Sequence, residues 1–309
     1  MSKSPLSAPH FNDDEAARKH LEAMRWPDGV ICPHCGTVGT AYARSKPGLY
    51  RCAEKGCRKD FTVTVGTLFE RSHIPLSTWF KAVYLLCSSK KGMSAHQLHR
   101  MLGITYKSAW FMAHRIREGM RENHVAPLGG QNKVVEADET YVGGKEANKH
   151  KSKRTPGRQG GAGKEAVVSL VERDGKVRSS HVPSVNAKTL GPIMQQQIDA
   201  ATYLMTDESR VYPPIGKAFN GHGTVNHSIG EYVRGGFWHT NTVENYFSIL
   251  KRGLIGTYHH VSADHLKRYV GEFDFRYNNR ELTDSERAVV AMKGIEGKRL
   301  TYRRADKNN

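Results

Sequence analysis

No apolar run in this 309-residue sequence approaches the roughly 20 residues that a membrane-spanning helix needs; the longest, such as residues 82–87, are far shorter. The N-terminus lacks the basic-then-apolar layout of a secretory signal, so a soluble, cytoplasmic protein is expected. Acidic residues are scarce: 30 Asp and Glu stand against 47 Lys and Arg, a net charge of +17. Such an excess repels itself in a compact chain unless a polyanion offsets it. Nucleic acid, bound through phosphate contacts and counterion release, is the commonest such partner. Cysteine is sparse as well. With five in the chain and no sign of export, a disulfide framework is not expected. Four of them crowd between positions 32 and 57, which reads as metal ligation, while Cys87 sits alone in an apolar helical pattern and reads as a small buried hydrophobe. No internal repeat is visible. The 38% of residues that are hydrophobic suffice for real cores, and the length fits two or three domains.

A helix is expected over residues 14–25, capped by Asn12 or Asp13 and stopped before Trp26-Pro27-Asp28-Gly29. Then come Cys32-Pro33-His34-Cys35-Gly36 and Cys52-Ala53-Glu54-Lys55-Gly56-Cys57. Tetrahedral Zn²⁺ wants four soft ligands, and each tight glycine-containing knuckle brings two thiolates within bonding reach. Short strands at 41–44, 50–51 and 61–65 supply a small sheet. Residues 12–70 therefore read as a helix plus a zinc ribbon with Cys32, Cys35, Cys52 and Cys57 as ligands; His34 could substitute for one cysteine, although four thiolates complete the shell. Residues 71–125 are assigned to helices at 77–88, at 95–102 behind a Ser94 cap, and from Thr105 or Ser108 to about 120. A short helix, a Gly103 turn and a helix ending in His114-Arg115-Ile116-Arg117 have the helix-turn-helix layout, whose second helix lies in a major groove. Any small helical bundle could share that pattern.

From Lys133 strands take over, at 133–138, 166–173 and 176–182, the last two joined by an Asp174-Gly175 hairpin turn. A helix at 187–200, a strand at 203–206, another strand within 225–233 and a strongly patterned helix at 242–254 follow. Residues 145–164 interrupt them with glycine-rich basic sequence, a loop expected to order on phosphate. This order matches the start of a ribonuclease H-like fold, an α/β architecture in which acidic residues from the first strand, the end of the fourth strand and a late helix converge on two divalent cations. Asp138 stands at the expected end of the first strand and Asp207 at the end of the fourth. Hard carboxylate oxygens suit Mg²⁺ or Mn²⁺, and two such ions roughly 3.5–4 Å apart promote in-line displacement at a phosphate. The plainer alternatives are a strand-end turn residue for Asp138 and a helix N-cap for Asp207.

The helix at 242–254 adds a third carboxylate. At about 100° per residue, Val243, Phe247, Leu250 and Leu254 form an apolar stripe, with Glu244 about 100° and Lys251 about 80° from Val243. Acid and base thus share one flank, where a carboxylate can reach a metal and a lysine two turns on can meet DNA phosphate. Asn245, at about 200°, faces away. A capping box begun by Asn241 would explain Glu244 but not Lys251. Strand alternation turns Glu139 to the face opposite Asp138. Asp274 reads as structural, His259-His260 either as a phosphate contact or as the end of a helical region, and residues 296–309 as a basic tail.

The runs Trp26-Pro27-Asp28-Gly29-Val30-Ile31-Cys32-Pro33-His34-Cys35-Gly36, Asp138-Glu139-Thr140-Tyr141-Val142-Gly143-Gly144-Lys145, Thr206-Asp207-Glu208-Ser209 and His239-Thr240-Asn241-Thr242-Val243-Glu244-Asn245-Tyr246-Phe247-Ser248 resemble a bacterial insertion-sequence transposase family with an N-terminal zinc ribbon and an ISXO-like DDE catalytic domain. So do Leu250-Lys251-Arg252-Gly253, Gly256-Thr257-Tyr258-His259 and Phe273-Asp274-Phe275-Arg276-Tyr277-Asn278. The resemblance covers roughly residues 12–295. It implies a DNA transposase that binds the ends of its insertion sequence and catalyses metal-dependent strand cleavage and strand transfer. It further implies a catalytic domain over 130–295, two catalytic Mg²⁺ or Mn²⁺ ions, terminal inverted repeats and target DNA as partners, and a homodimer or higher assembly on paired ends. The location implied is the bacterial cytoplasm, at the nucleoid when DNA is bound. Some relatives place Asn or His at the third catalytic position. Two competing readings are a non-catalytic zinc-ribbon regulator and a structure-specific nuclease of the same fold.

Overall fold

The computed structural model describes residues 4–122, 126–144, 148, 150–154, 161, 163–226, 233, 237–298 and 300. Two units emerge: residues 1–121 with 281–309, and residues 122–280. Among the described residues no helix is long and apolar enough to cross a membrane.

In the first unit a short helix α1 (Pro9–Asn12) precedes α2 (Asp14–Arg25), which is capped by Asp13, whose carboxylate accepts the Ala16 amide at 2.7 Å. Burial of Ala17 and Leu21 fixes its inner face. Strands β1 (Ala41–Ala43), β2 (Tyr50–Cys52) and β3 (Asp60–Phe61) form an antiparallel sheet in that order. The third strand is shorter than the expected 61–65. Its alternation is real, with Phe61 and Val63 buried, but the Arg25 guanidinium takes the carbonyls of Val63 (2.6 Å) and Val65 (2.9 Å), and the chain turns instead of extending the ladder. Helix α3 (Leu76–Ser88) buries Trp79, Phe80, Val83, Leu86 and Cys87. Ser94 caps α4 (Ala95–Leu102), Gly103 stops it in the left-handed region at φ 65°, and Thr105, rather than Ser108, caps α5 (Tyr106–Met120).

In the second unit a five-stranded mixed sheet has the order β6-β5-β4-β7-β8. Its strands are β4 (Val134–Val142), β5 (Glu165–Glu172), β6 (Val177–Val182), β7 (Tyr203–Thr206) and β8 (Gly221–Thr224). The first three pair antiparallel, whereas β7 is parallel to both β4 and β8. One face, with Val135, Ala137, Val168, Leu170 and Leu204, packs on α6 (Ala187–Gln197) and α7 (Tyr212–Gly216). The other face, with Val167, Val171 and Val177, packs on α8 (Asn241–Gly253) and α9 (Ala263–Asn278). Helix α10 (Asp284–Lys293) packs on α3 and α5 and belongs to the first unit, although the expected boundary at 295 carried it with the sheet. Lys298, expected in a basic tail, donates to the Gly119 carbonyl.

Several elements differ from expectation. Strand β4 continues to Val142, so Asp138 lies within the strand and not at its end. Helix α6 ends at Gln197 because Ile198 bridges to Leu128. The strand expected within 225–233 is replaced by β8; Val225 and Asn226 follow it as loop, and residues 227–232 lie outside the described set. Two glycines hide β8 from a propensity reading, and packing demands both. A Cβ on Gly223 would collide with the Trp238 ring, and one on Gly221 would sit 2.8 Å from Tyr203. Most of the basic loop expected at 145–164 also lies outside the described residues.

Candidate active site and metal centre

Two knuckles bring the four thiols together. Cys32 Sγ lies 3.8 Å from Cys57 Sγ, and Cys35 Sγ lies 3.6 Å from Cys52 Sγ. Ligand atoms of all four fall within 4.8 Å of one another. Zn–S bonds of about 2.3 Å in a tetrahedron put sulfurs about 3.8 Å apart, so the donor set fits that ion. Gly36, at φ 78°, turns its amide back to the Cys32 carbonyl at 2.8 Å. The Thr37 hydroxyl and amide hold the Cys35 thiol low, at about 6, whereas burial pushes Cys52 up to about 12. His34 is exposed and lies against the Phe61 ring, outside the thiol cluster.

On the α8-facing side of the sheet β4 is polar: Glu136, Asp138 and Thr140 alternate with the apolar residues of the other face. Asp138 sits opposite Ser169 of β5, and its Oδ1 accepts the Glu139 amide at 2.7 Å. Its carboxyl is raised to about 7, chiefly by burial and further by the charges of Glu139, Asp207 and Glu244. Asp207 and Glu244 therefore lie near enough to Asp138 to act on it, which brings the three expected carboxylates together. Asp207 follows β7 directly and accepts the Ser209 amide at 3.0 Å; α7 begins only at Tyr212, so Asp207 is not its N-cap. Glu139 faces the other way, where Tyr212 donates to it at 2.5 Å.

Helix α8 buries Val243, Phe247 and Leu250 as the wheel requires, and Tyr246 with them. Glu244 is half-buried and accepts from the Thr240 hydroxyl at 3.2 Å, whereas Asn245 is exposed. No capping box starts at Asn241, because the N-cap is Thr240 and makes no side-chain cap bond. The helix start is instead capped from the sheet. Glu136, fully buried, accepts the amides of Thr242 (2.8 Å) and Val243 (3.0 Å), the Thr242 hydroxyl (2.9 Å) and Arg173 Nε (2.7 Å). Arg173 also donates to the carbonyls of Phe237 (2.8 Å) and His239 (3.0 Å). A negative charge at a helix N-terminus is well placed, and this one ties α8 to the strand that carries Asp138. Sequence reasoning passed over Glu136. The signal was its spacing, two residues before Asp138, which puts both on one face of a strand.

Residues 127–278 match the ISXO2-like transposase domain, and residues 12–60 match the transposase zinc-ribbon domain. An uncharacterised protein in transposable element ISH50 of Halobacterium salinarum is 30% identical over 281 residues, 86% of this chain and 91% of that protein. The chain belongs to the ISXO2-like transposase family. An uncharacterised transposase-like protein of Haemophilus influenzae is 27% identical over 107 residues, 35% of this chain and 85% of that one. Among solved structures, a simian T-cell lymphotropic virus intasome in complex with PP2A regulatory subunit B56 gamma matches at 14% identity over 61% of this chain and 66% of that chain. Its TM-score of 0.28 is too low to bear on the fold.

Two further parts of this transposase differ from the sequence reading. The basic run at the end of α5 does not face outward. His114, Arg115 and Arg117 are buried, and Arg115 lies over the rings of Trp79 and Phe111 while donating to the Glu70 carbonyl at 3.0 Å. The exposed residues of α5 are at its start, Tyr106 and Lys107. Helix α8 does not simply end near Leu254 but widens into a π-helical turn, Leu254–Tyr258. Exposed Lys251 and the His259-His260 pair then line a cleft beside the end of β4.

Proposed function

We propose that this chain binds the ends of its insertion sequence and cuts and joins DNA strands there, with Asp138, Asp207 and Glu244 as ligands of two Mg²⁺ or Mn²⁺ ions in a ribonuclease H-like unit. The observation that carries the reading is the rise of the Asp138 carboxyl to about 7 in company with Asp207 and Glu244. A half-buried acid raised by burial and by neighbouring carboxylates is relieved by a cation, and oxygen donors suit a hard one. The sheet order, with an antiparallel meander joined to two parallel strands, supports the fold. Two divalent ions, when bound, would stabilise both the attacking and the leaving oxygen at the scissile phosphate.

The chain's own residues do the positioning. The β4–β7 ladder, with Val134 opposite Tyr203 and Glu136 opposite Met205, carries Asp138 on one strand and Asp207 just past the end of its neighbour. Glu136 anchors the start of α8 and so the height of Glu244. Lys251, two turns along, meets backbone phosphate. Cys32, Cys35, Cys52 and Cys57 hold a structural zinc. Helices α4 and α5 act as a helix-turn-helix whose exposed α5 start, Tyr106 and Lys107, reaches base edges, as the N-terminal residues of recognition helices do. Paired DNA ends require at least a homodimer, working at the nucleoid of a bacterial cytoplasm.

The test is a cleavage and strand-transfer assay on DNA carrying the inverted repeats that bracket the gene. Asp138→Asn or Asp207→Asn should remove cutting and joining in Mg²⁺ while DNA binding persists. Cutting at the wild-type rate by the double variant would overturn the reading, and cutting without joining would leave a nuclease.

A further inference from the structure

The cleft beyond the end of β4 has a character that a row of phosphate contacts does not require. Lys164, Lys251, His259 and His260 line it together with Tyr141 and Ile255. Ile255 is 71% exposed and Tyr141 40%, the former the most exposed large hydrophobic residue among those described. Scattered exposed hydrophobics are ordinary, but two that share one concave site with two lysines and two histidines are not scattered. Gly161 backs the Tyr141 ring so closely that a Cβ there would collide with it.

The backbone around the cleft is held in costly conformations. His259, at φ 60° and ψ −51°, is the centre of a γ-turn closed by the His260 amide on the Tyr258 carbonyl at 2.6 Å. That turn is rare and strained, and strain of this kind gathers at ligand sites. The π-helical turn that precedes it is another feature found mostly at functional places.

We propose that this cleft seats an unpaired nucleotide of the DNA strand being processed, with its base against Tyr141 and Ile255 and its phosphate among Lys164, Lys251 and the histidines. The proposal rests on the strand-cutting reading above. Duplex DNA offers phosphates and groove edges, so an apolar wall can reach the face of a base only after that base has left the stack. The separation is suitable. Tyr141 lies three residues beyond Asp138, about 10 Å along the strand; alternation turns its ring to the Glu139 face, but the cleft lies at the strand end, where Tyr141 and Val142 both line it. Lys251 lies seven beyond Glu244, about 10 Å along the helix. That is a few nucleotides at about 3.4 Å per stacked step of one strand.

Full-length protein, with Ca²⁺ in place of Mg²⁺, is titrated with a duplex of arbitrary sequence that is blunt, carries a short single-stranded tail, or carries the same tail without bases; tails of both polarities are tried. The base-bearing tail should bind about tenfold more tightly than the blunt duplex, as stacking on an aromatic predicts. Tyr141→Ala and Ile255→Asp should each erase most of that difference without changing the affinity for blunt DNA. Both side chains are exposed, so unfolding is not the expected outcome, and circular dichroism checks it. Equal affinity for tailed and blunt DNA, an unchanged preference in both variants, or full preference for the base-free tail would each overturn the proposal, the last by leaving a phosphate site only. Asp138→Asn serves as the separate arm. It should lose cutting and keep the preference, so that failure of the catalytic reading and failure of the cleft are told apart.

Discussion

The four thiols and the three carboxylates are both sets of donors that repel one another when ionised, yet the chain assembles them in opposite ways. The thiols come from two short knuckles within one stretch of sequence and close to within 4.8 Å of each other. The carboxylates come from a strand, a strand end and a helix far apart in the chain, and among the described residues no three carboxylates draw as close as the thiols do. The raised Cys52 and Cys57 thiols hold their protons near neutral pH and so approach the low Cys35 thiol without repelling it. A carboxylate ordinarily holds no proton there, so without a cation it keeps its distance or, like Asp138, has its pKa driven up. The ribbon thus carries its metal geometry in local turns, whereas the carboxylate site depends on whatever fixes the sheet against α8.

The largest expected effect separates the two sites by metal. Purified protein should carry one zinc per chain, and Cys32→Ser or Cys52→Ser should release it and unfold the ribbon, since zinc binding to such modules contributes roughly 10–16 kcal/mol of apparent free energy. Elemental analysis and thermal melting read both outcomes; Cys87→Ser, in the α3 core, should leave the stoichiometry unchanged. Freshly prepared protein without zinc would defeat the ribbon assignment. Next in size is the third carboxylate. Glu244→Gln should cost several orders of magnitude in strand cleavage, while Asn245→Ala, at an exposed position, should cost little. The reverse ranking would move the site to an Asp-Asp-Asn arrangement.

Signals confined to a few adjacent residues were legible in the sequence. The Asp13 and Ser94 caps, the Gly103 stop, the Asp174-Gly175 turn and β7 at 203–206 all stand where local chemistry puts them. The knuckle cysteines belong with these. What escaped was decided at a distance. Strand β8 contains glycines because Trp238 and Tyr203 occupy the space their side chains would need. The arginines of α5 look like a DNA-facing run until Trp79, Phe111 and the Glu70 carbonyl take up Arg115. Strand β3 stops early because Arg25, from another element, claims the carbonyls of Val63 and Val65 just beyond it. Asp138, Asp207 and Glu244 were nameable through element order and family likeness, but Glu136 was not, because its partners are the amides of a helix more than a hundred residues away.

Glu136 sharpens the comparison, since the carboxylate site should fail by misplacement in a way the ribbon cannot. Glu136→Gln keeps an acceptor for the Thr242 and Val243 amides but loses the charge facing Arg173; Glu136→Ala loses both. Removing an outer partner of a metal site typically costs about 10–100-fold. Glu136→Ala should therefore lower kcat and weaken Mg²⁺ dependence by that order, with Glu136→Gln recovering part of it and DNA affinity unchanged in both. Equal loss in the two variants, tracking a fall in melting temperature, would reduce Glu136 to a stabilising residue.

The smallest effect concerns a second buried carboxylate facing α8. Asp274 accepts the Ser179 amide (2.8 Å), the Ser179 hydroxyl (2.7 Å) and the Tyr246 hydroxyl (2.5 Å). Burial still raises it to about 6, against those bonds. Its folded pKa thus exceeds the unfolded value near 3.8, so its stabilising contribution is fully present below about pH 4 and is lost as pH rises through about 6. Asp274→Asn carries no such charge at any pH. Relative to wild type, the variant should gain stability between pH 4 and pH 7, by an amount on the order of 1–3 kcal/mol. Denaturant midpoints at the two pH values measure it. Mg²⁺ should leave this difference unchanged, because Asp274 already has three donors and the carboxylate charge that raises it, Glu122, is the smallest of its influences. A Mg²⁺-dependent shift at Asp274 would mean that the cation answers to buried acids in general and not to the Asp138 cluster.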